Sequence, residues 1–162
     1  MSFKVTKTID REANRLVKNY PEKRSASLMV LHAIQEEFGY ISKEAEVWAA
    51  EKLGLKPINI HELVTFYPML REHDPGKTVV RVCRTLSCAL VGSHKLHGHI
   101  CDKLDLDKNG HGLQRTRDGK FGVEFAECLA SCGTGPVMMC NDDFYEAVSN
   151  EASEEILKKY DA

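Results

Sequence analysis

A single stretch decides the fold predicted for this chain, Thr78-Val79-Val80-Arg81-Val82-Cys83-Arg84-Thr85-Leu86-Ser87-Cys88. Its valine-rich first half predicts a buried β-strand, because β-branched side chains favour the pleated backbone. The strand leads directly into Cys83, and Cys88 completes a C-x4-C pair. A sheet containing this strand would therefore carry two thiols at one of its edges.

A second cysteine pair follows another predicted strand. Phe121, Val123 and Phe125 alternate with small or polar residues, which predicts a strand with one buried face. The strand follows Asp118-Gly119, a dipeptide typical of a hairpin turn, and precedes the C-x3-C pair Cys128-Leu-Ala-Ser-Cys132. A helix and most of a hairpin separate the two pairs, and this arrangement can bring both to one edge of the sheet.

The C-terminal part as a whole predicts a small α/β sandwich in the order β-α-β-β-β-α, with helices covering a sheet. The predicted strands are Thr78–Val82, Leu113–Thr116, Phe121–Phe125 and Pro136–Cys140, and the predicted helices are 88–104 and Ser153–Tyr160, with Asp107–Gly112 as a loop.

The N-terminal part predicts a bundle of four short helices, which are Thr8–Asn19, Ser25–Gly39, Ser42–Gly54 and Pro57–Tyr67. Ser25 and Ser42 are the expected N-caps, and Gly39 and Gly54 the expected ends. The turn-rich run Arg71–Lys77 separates this part from the first strand. We therefore predict an α+β protein with a helical bundle at 1–72 and a second domain at 73–162.

The composition of the chain argues against three classes of protein, namely nucleic-acid binders, membrane-spanning proteins and secreted proteins. The 162 residues are 43% hydrophobic and carry a formal net charge of −2, which argues against a nucleic-acid binder. No apolar run is long enough to span a bilayer, and the N-terminus lacks the apolar core of a signal peptide. We therefore expect a cytoplasmic protein, in which six cysteines indicate thiols or metal ligands more often than disulfides.

The spacing of the two pairs favours an iron–sulfur cluster over zinc. Zinc knuckles usually use C-x2-C at both corners, and thioredoxin-type redox chemistry also needs C-x-x-C, whereas neither spacing occurs here. Looser loops suit a two-iron cluster in which each iron takes two thiolates. Gly133 and Gly135 permit left-handed turns and a close approach of backbone N–H groups to sulfur. Spacing alone leaves zinc, inert thiols and a disulfide as alternatives.

Several motifs in order resemble the ferredoxin-like subunit of respiratory complex I, the NuoE-type subunit, over about residues 20–148. These motifs are Lys23-Arg24-Ser25-Ala26, Gln35-Glu36-Glu37-Phe38-Gly39-Tyr40-Ile41, Val64-Thr65-Phe66-Tyr67, Val82-Cys83, Ser87-Cys88 with Gly92, Cys128-Leu-Ala-Ser-Cys132-Gly-Thr-Gly-Pro136-Val-Met-Met, Asn141-Asp142-Asp143 and Tyr145-Glu146. The resemblance implies an N-terminal helical bundle and a thioredoxin-like domain that holds one 2Fe–2S cluster on Cys83, Cys88, Cys128 and Cys132.

The same resemblance implies the partners. A subunit of this type docks on a flavoprotein of the NuoF type that binds FMN and NADH, and its cluster exchanges electrons with that flavin in NADH:quinone oxidoreductase, peripheral on the inner face of the cell membrane. A soluble NAD-linked hydrogenase or formate dehydrogenase is the alternative assembly. A zinc-stabilised interaction module and a thiol oxidoreductase are the alternatives of other classes. The sequence shows no nicotinamide fingerprint, so we expect no NADH site in this chain.

Five further residues are candidates for other chemistry. Cys101 and Cys140 are predicted to be packing thiols. His94 and His97 share a face of the predicted helix, as zinc ligands can, and His99 lies close by. No further ligand stands at a helical interval, so we interpret them as surface histidines.

Overall fold

The computed structural model describes residues 3–161 and divides into two compact units, one up to Asp74 and one from Pro75. The first unit is helical throughout. Its helices are α1 (Lys7–Val17), α2 (Ser27–Phe38), α3 (Lys43–Leu53) and α4 (Pro57–Phe66), with a short 3-10 helix at Lys23–Ala26 before α2.

Most of the predicted helix ends in this unit are confirmed. The Ser42 side chain accepts a hydrogen bond from the Ala45 N–H and caps α3, and Pro57 stands at the start of α4. Gly39 and Gly54 end α2 and α3 in the left-handed conformation that glycine adopts without strain. The predicted cap at Ser25 is wrong, because Ser25 lies inside the 3-10 helix and Ala26 precedes α2 without a side-chain cap.

The helical unit has a hydrophobic core of its own. α1 is strongly amphipathic and buries Ile9, Ala13 and Leu16 on one face, as its helical spacing predicts. Further buried residues come from each of the other helices and include Val30, Leu31, Ile34, Ala45, Ala49, Leu53, Ile60 and Val64.

The second unit is built on a five-stranded sheet in the order β2-β3-β1-β4-β5. The strands are β1 (Thr78–Cys83), β2 (Gln114–Arg115), β3 (Phe121–Ala126), β4 (Met138–Cys140) and β5 (Asp143–Tyr145). The central strand β1 pairs parallel with β3, in register from Thr78 opposite Phe121 to Cys83 opposite Ala126, and antiparallel with β4. β2 and β5 complete the sheet as antiparallel outer strands.

Three helices accompany the sheet, which are α5 (Leu86–Leu90), α6 (Ser93–Lys103) and α7 (Asn150–Tyr160). α6 packs against β1, β3 and α7. The core that forms between them contains alternate residues of the strands together with helix residues, among them Val80, Val82, Val123, Met138, Leu96, Ile100, Ile156 and Leu157. No helix of residues 3–161 combines the length and the apolar character that crossing a bilayer requires.

The observed elements of this unit differ from the predicted ones in one helix and one additional strand. The single helix expected at 88–104 is two helices, because Gly92 adopts a left-handed backbone (φ 104°) that ends α5 and begins α6. β5 was not predicted, since only three residues form it after a left-handed turn residue, Asn141. The remaining strands occur where the hydrophobic pattern predicts them, although β2 and β4 are shorter than expected.

We predict that Gly122→Ala destabilises the second unit by about 1–3 kcal/mol. A Cβ on this β3 residue would collide with the Pro75 carbonyl oxygen and stand 3.3 Å from Leu113 Cδ1, so the backbone must shift. Chemical unfolding followed by circular dichroism gives the free energy of unfolding.

The matched control is Gly98→Ala, in the middle of α6. Its nearest contact would be Lys108 Cδ at 3.9 Å, and alanine favours a helix over glycine by about 1 kcal/mol, so this variant should be at least as stable as the parent. Equal stability of the two variants would contradict the close approach at Gly122.

Candidate metal centre

The parallel pairing of β1 and β3 brings the two cysteine-bearing loops together. Parallel neighbours end at the same edge of a sheet, so Cys83 at the end of β1 and Cys128 just after β3 belong to one edge. Backbone bonds extend the pairing beyond the strands, with Arg84 N–H donating to Ala126 O at 2.9 Å. Cys83 Sγ lies 3.1 Å from the Glu127 carbonyl oxygen, directly before Cys128.

The first pair is buried. Cys83 and Cys88, the latter in the short helix α5, form a small apolar cluster with Val137 that is separate from the main core. Burial raises the pKa of Cys83, but hydrogen bonds from the Thr85 hydroxyl and from the backbone of Leu129 and Thr85 lower the pKa below its usual value. These donors favour the thiolate, which is the form that binds metals.

Cys88 is shifted in the opposite direction. Burial is the largest cause that raises the pKa of this thiol, and the neighbouring Cys83 raises it further. A backbone hydrogen bond from Val137 opposes the shift, and the charge of Cys132 adds to it. The interactions of Cys88 with Cys83 and Cys132 link thiols of both pairs at this edge. A bound metal centre would remove the repulsion between these neighbouring thiolates, since its positive charge compensates their negative charges.

The second pair is exposed. Cys128 and Cys132 lie at the two ends of a loop, and a 3-10 turn at Cys132–Thr134 packs against α5, which carries Cys88. Within the loop, Ala130 is left-handed (φ 60°), and its N–H donates to Cys128 Sγ at 3.3 Å. The loop therefore turns a backbone donor toward a sulfur, at the cost of a conformation that alanine rarely adopts.

Of the two glycines after Cys132, Gly135 approaches a neighbouring element closely, whereas a Cβ at Gly133 would meet nothing within 4 Å. A Cβ at Gly135 would lie 2.8 Å from Val91 Cγ2 and 3.3 Å from Cys88 Sγ, so only glycine lets the loop pass α5 at this distance. The left-handed turn that Gly133 or Gly135 would permit does not form at either glycine, since Gly135 is extended (φ −65°) and the left-handed residue of this loop is Ala130.

The four thiols fit a cluster with two irons. Two pairs stand at one edge, and backbone N–H groups approach the sulfurs of Cys83, Cys88 and Cys128. Such hydrogen bonds stabilise thiolate ligands and tune a cluster's potential. Zinc also accepts four thiolates, so the donor set by itself is compatible with either metal.

The other two cysteines lie in the main core, as the sequence predicts. Burial raises the pKa of Cys101 to about 11 and the pKa of Cys140 to about 12. Both thiols are fully buried and protonated at neutral pH. They therefore behave as small hydrophobic side chains.

The three histidines of α6 have separate environments. His97 is buried and stacks on Phe125 with a centroid distance of 3.8 Å, so its interpretation as a surface histidine is wrong. Burial lowers the pKa of His97, and the nearby His94 contributes. His99 contacts the Glu154 carboxylate at 2.9 Å. His97 thus serves as an aromatic core residue beneath the strand that leads to Cys128.

The helical unit contains a group of three potential metal ligands that the sequence analysis did not predict. Glu46, His61 and Glu72 bring ligand atoms within 4.8 Å of one another. The Lys43 ammonium lies among them, at 3.1 Å from Glu46 Oε1, 2.9 Å from His61 Nδ1 and 2.9 Å from Glu72 Oε1. The ammonium group of Lys43 therefore occupies the position where a metal ion would bind and compensates the charge of the two carboxylates. Only Lys43 and Glu46, three residues apart on α3, form a pair visible in sequence.

Comparisons with known proteins find similar sequences and similar folds. The sequence model of the family described as thioredoxin-like [2Fe-2S] ferredoxin matches residues 13–161. An NADH-quinone oxidoreductase subunit of Aquifex aeolicus is 34% identical over 98% of this chain and 96% of that protein. The protein of the same name from Mycobacterium tuberculosis strain H37Rv is 30% identical over 92% of this chain, which spans 58% of that protein.

Among solved structures, an NAD+-reducing [NiFe]-hydrogenase in the air-oxidized state is similar to this chain with a TM-score of 0.67. The similarity covers 80% of this chain and 22% of the hydrogenase chain at 16% sequence identity, so it shows a shared fold alone.

We predict that iodoacetamide at pH 8 alkylates Cys128 and Cys132 of the iron-free protein at least tenfold faster than Cys101 and Cys140. The first two thiols are exposed, whereas a thiol with a pKa of about 11 is only about 0.1% thiolate at this pH. Mass spectrometry of tryptic peptides gives the rate at each cysteine. Alkylation of Cys101 or Cys140 as fast as Cys128, in protein that circular dichroism shows to be folded, would contradict the burial.

Proposed function

We propose that this chain, which belongs to the thioredoxin-like [2Fe-2S] ferredoxin family, is an electron-transfer subunit whose Cys83, Cys88, Cys128 and Cys132 hold the 2Fe–2S cluster and which exchanges electrons with the FMN of an NADH-oxidising flavoprotein. Family membership confirms the predicted cofactor and the thioredoxin-like α+β fold. A zinc-stabilised module and a thiol oxidoreductase are therefore no longer needed to explain the cysteines.

The observation that supports the ligand set is the convergence of two cysteine pairs at one sheet edge, one pair buried and one exposed. When bound, a 2Fe–2S cluster accepts and returns a single electron. Cys83 and Cys88 would anchor it on the apolar side, with Val137 and Leu129 excluding water. Cys128 and Cys132 would hold the side that faces outward, where an electron can enter and leave.

An apolar surface adjoins this edge and supports docking of a partner there. Leu86 and Leu90 are 73% and 78% exposed, lie one helical turn apart on α5, and are continued by the exposed Val91. The same short helix carries Cys88 on its opposite, buried face, so a partner that covers the two leucines is separated from this proposed ligand by the width of α5. We assign this surface, Leu86–Val91, to the FMN- and NADH-binding partner, because rapid electron exchange requires the two cofactors to be close.

The parent assembly that we propose is NADH-quinone oxidoreductase, with this chain bound peripherally to it. Relatives that are 30–34% identical over more than nine-tenths of this chain are subunits of that complex. An NAD-linked hydrogenase is the second candidate and is supported by the shared fold with the hydrogenase chain. In either assembly the NADH site belongs to the partner, since no nicotinamide fingerprint occurs in this sequence.

The decisive experiment compares reduction by NADH with and without the flavoprotein of the same organism. We expect the anaerobically reconstituted chain alone to stay oxidised with NADH and to give an S = 1/2 electron paramagnetic resonance signal with dithionite. With the flavoprotein added, NADH should produce that signal. Absence of iron and of any signal would disprove the cluster. Reduction by NADH without the flavoprotein would disprove the proposal that the NADH site belongs to the partner.

Serine variants test the ligand set in the same preparation. Cys83→Ser, Cys88→Ser, Cys128→Ser and Cys132→Ser should each lose iron or change the signal, because an alkoxide is a harder ligand than a thiolate. Cys101→Ser is the control, since that residue lies in the core away from the sheet edge. A ligand variant with the iron content and spectrum of the parent would remove that residue from the set.

We predict that Leu90→Glu weakens binding to the flavoprotein by at least tenfold, because it places a charge in the centre of the apolar surface. Leu90→Met keeps the surface apolar and is the matched control. Size-exclusion chromatography of the co-expressed proteins and titration calorimetry measure the association. Equal affinities of the two variants would exclude α5 from the interface.

A further inference from the structure

We propose that Glu146 is a positioning residue for the second cysteine pair: its carboxylate fixes the loop that carries Cys128 and Cys132, and its charge lowers the reduction potential of the cluster held there. The inference rests on the proposed function, because it takes the four cysteines as ligands. It assigns a role to a side chain that lies outside the ligand loops and contacts no cysteine.

The carboxylate of Glu146 joins two hydroxyl groups of the ligand loop. Its Oε1 accepts hydrogen bonds from Ser131 Oγ and from Thr134 Oγ1. The two hydroxyl oxygens are themselves 2.7 Å apart, so the three side chains form a compact network. Ser131 directly precedes Cys132, and Thr134 ends the 3-10 turn that Cys132 begins. One oxygen atom therefore holds both flanks of a ligand position.

The backbone next to Glu146 reinforces the attachment. Ala147 N–H donates to Thr134 O at 2.7 Å, and Val148 N–H donates to Pro136 O at 3.0 Å. Val148 is buried in the main core, which anchors this segment to the rest of the unit. Ala147 is left-handed (φ 49°), a conformation that alanine keeps only where its surroundings impose it. The ligand loop is thus tied to the core through residues 146–148.

The loop depends on such bonds because it has little structure of its own. Cys128, Ala130 and Cys132 are exposed, and Ala130 is left-handed. The regular structure closest to it is a single three-residue 3-10 turn. An exposed segment with an unfavourable backbone conformation is expected to relax when its external hydrogen bonds are removed. Loss of the Glu146 network should therefore loosen the two exposed ligands first.

The charge of Glu146 acts on the cluster as well. The hydroxyl groups of Ser131 and then Thr134 lower the pKa of Glu146, so the carboxylate is ionised at neutral pH. A fixed negative charge opposes the addition of an electron to a centre that is already negative. Because Glu146 is exposed, water and salt screen the effect, and we expect a change of only about two- to threefold in the one-electron equilibrium constant.

Glu146→Gln tests the charge. Glutamine keeps an oxygen that accepts both hydroxyl bonds, so the loop should remain and the reduction potential should rise, with the equilibrium constant shifted about two- to threefold toward the reduced cluster. Redox titration monitored by electron paramagnetic resonance gives the potential. Glu155→Gln, an exposed α7 residue paired with Lys158, is the control for a change in net charge elsewhere. A shift equal to that of the control would overturn the electrostatic role.

Glu146→Ala and the double variant Ser131→Ala with Thr134→Val test the positioning. Both should lose iron several times faster than the parent when a chelator is added, while the circular dichroism of the unit is retained. Release of iron at the parent's rate in both variants would overturn the positioning role. Parent protein that binds no cluster at all would instead disprove the proposed function, so the two failures are distinguishable.

Discussion

The parallel pairing of β1 with β3 places both cysteine-bearing loops at one edge of the sheet, and the proposed centre depends on it. The same central strand pairs on its other side with β4, which returns the chain from the second loop. Cys83 N–H donates to Val137 O at 3.0 Å, and Arg84 N–H donates to Ala126 O at 2.9 Å. The residues at the end of β1 are therefore bonded to the segments on both sides of the second pair. A change in the register of either pairing would separate the thiols.

The six cysteines show how strongly surroundings decide the chemistry of one side chain. Cys101 and Cys140 lie in an apolar core, and burial keeps them protonated. Cys83 is also buried, yet the donors around it lower its pKa. Burial by itself therefore does not make a thiol inert. Backbone N–H groups directed at the sulfurs of Cys83, Cys88 and Cys128 distinguish these three proposed ligands from the packing thiols.

The asymmetry between the two pairs accounts for the supporting structure around them. Packing fixes the position of the buried pair, because β1, α5 and Val137 enclose it. The exposed pair is carried by a loop with a left-handed alanine, and the loop is held from outside by the Glu146 network and by the contact of the 3-10 turn with α5. The proposed electron exchange needs an exposed side of the cluster, and an exposed pair of ligands has little packing around it. These external bonds therefore hold Cys128 and Cys132 in place where packing holds the buried pair.

The sequence by itself determined those helices, strands and helix ends that depend only on residues close together in the chain. Period-2 and helical hydrophobic patterns located most strands and helices, and Ser42, Gly39, Gly54 and Pro57 marked helix ends, because capping and left-handed turns depend on neighbouring residues alone. Cysteine spacing favoured an iron–sulfur centre, and the flanking motifs indicated the family that the comparisons then showed.

Only the tertiary structure decided features that depend on residues distant in the chain. It brought Lys43 among Glu46, His61 and Glu72, and it buried His97 against Phe125. It also placed Glu146, just after the hairpin of β4 and β5, against Ser131 and Thr134 before that hairpin. No local pattern encodes these contacts, because each forms only after strands and helices have packed, and packing depends on the whole fold.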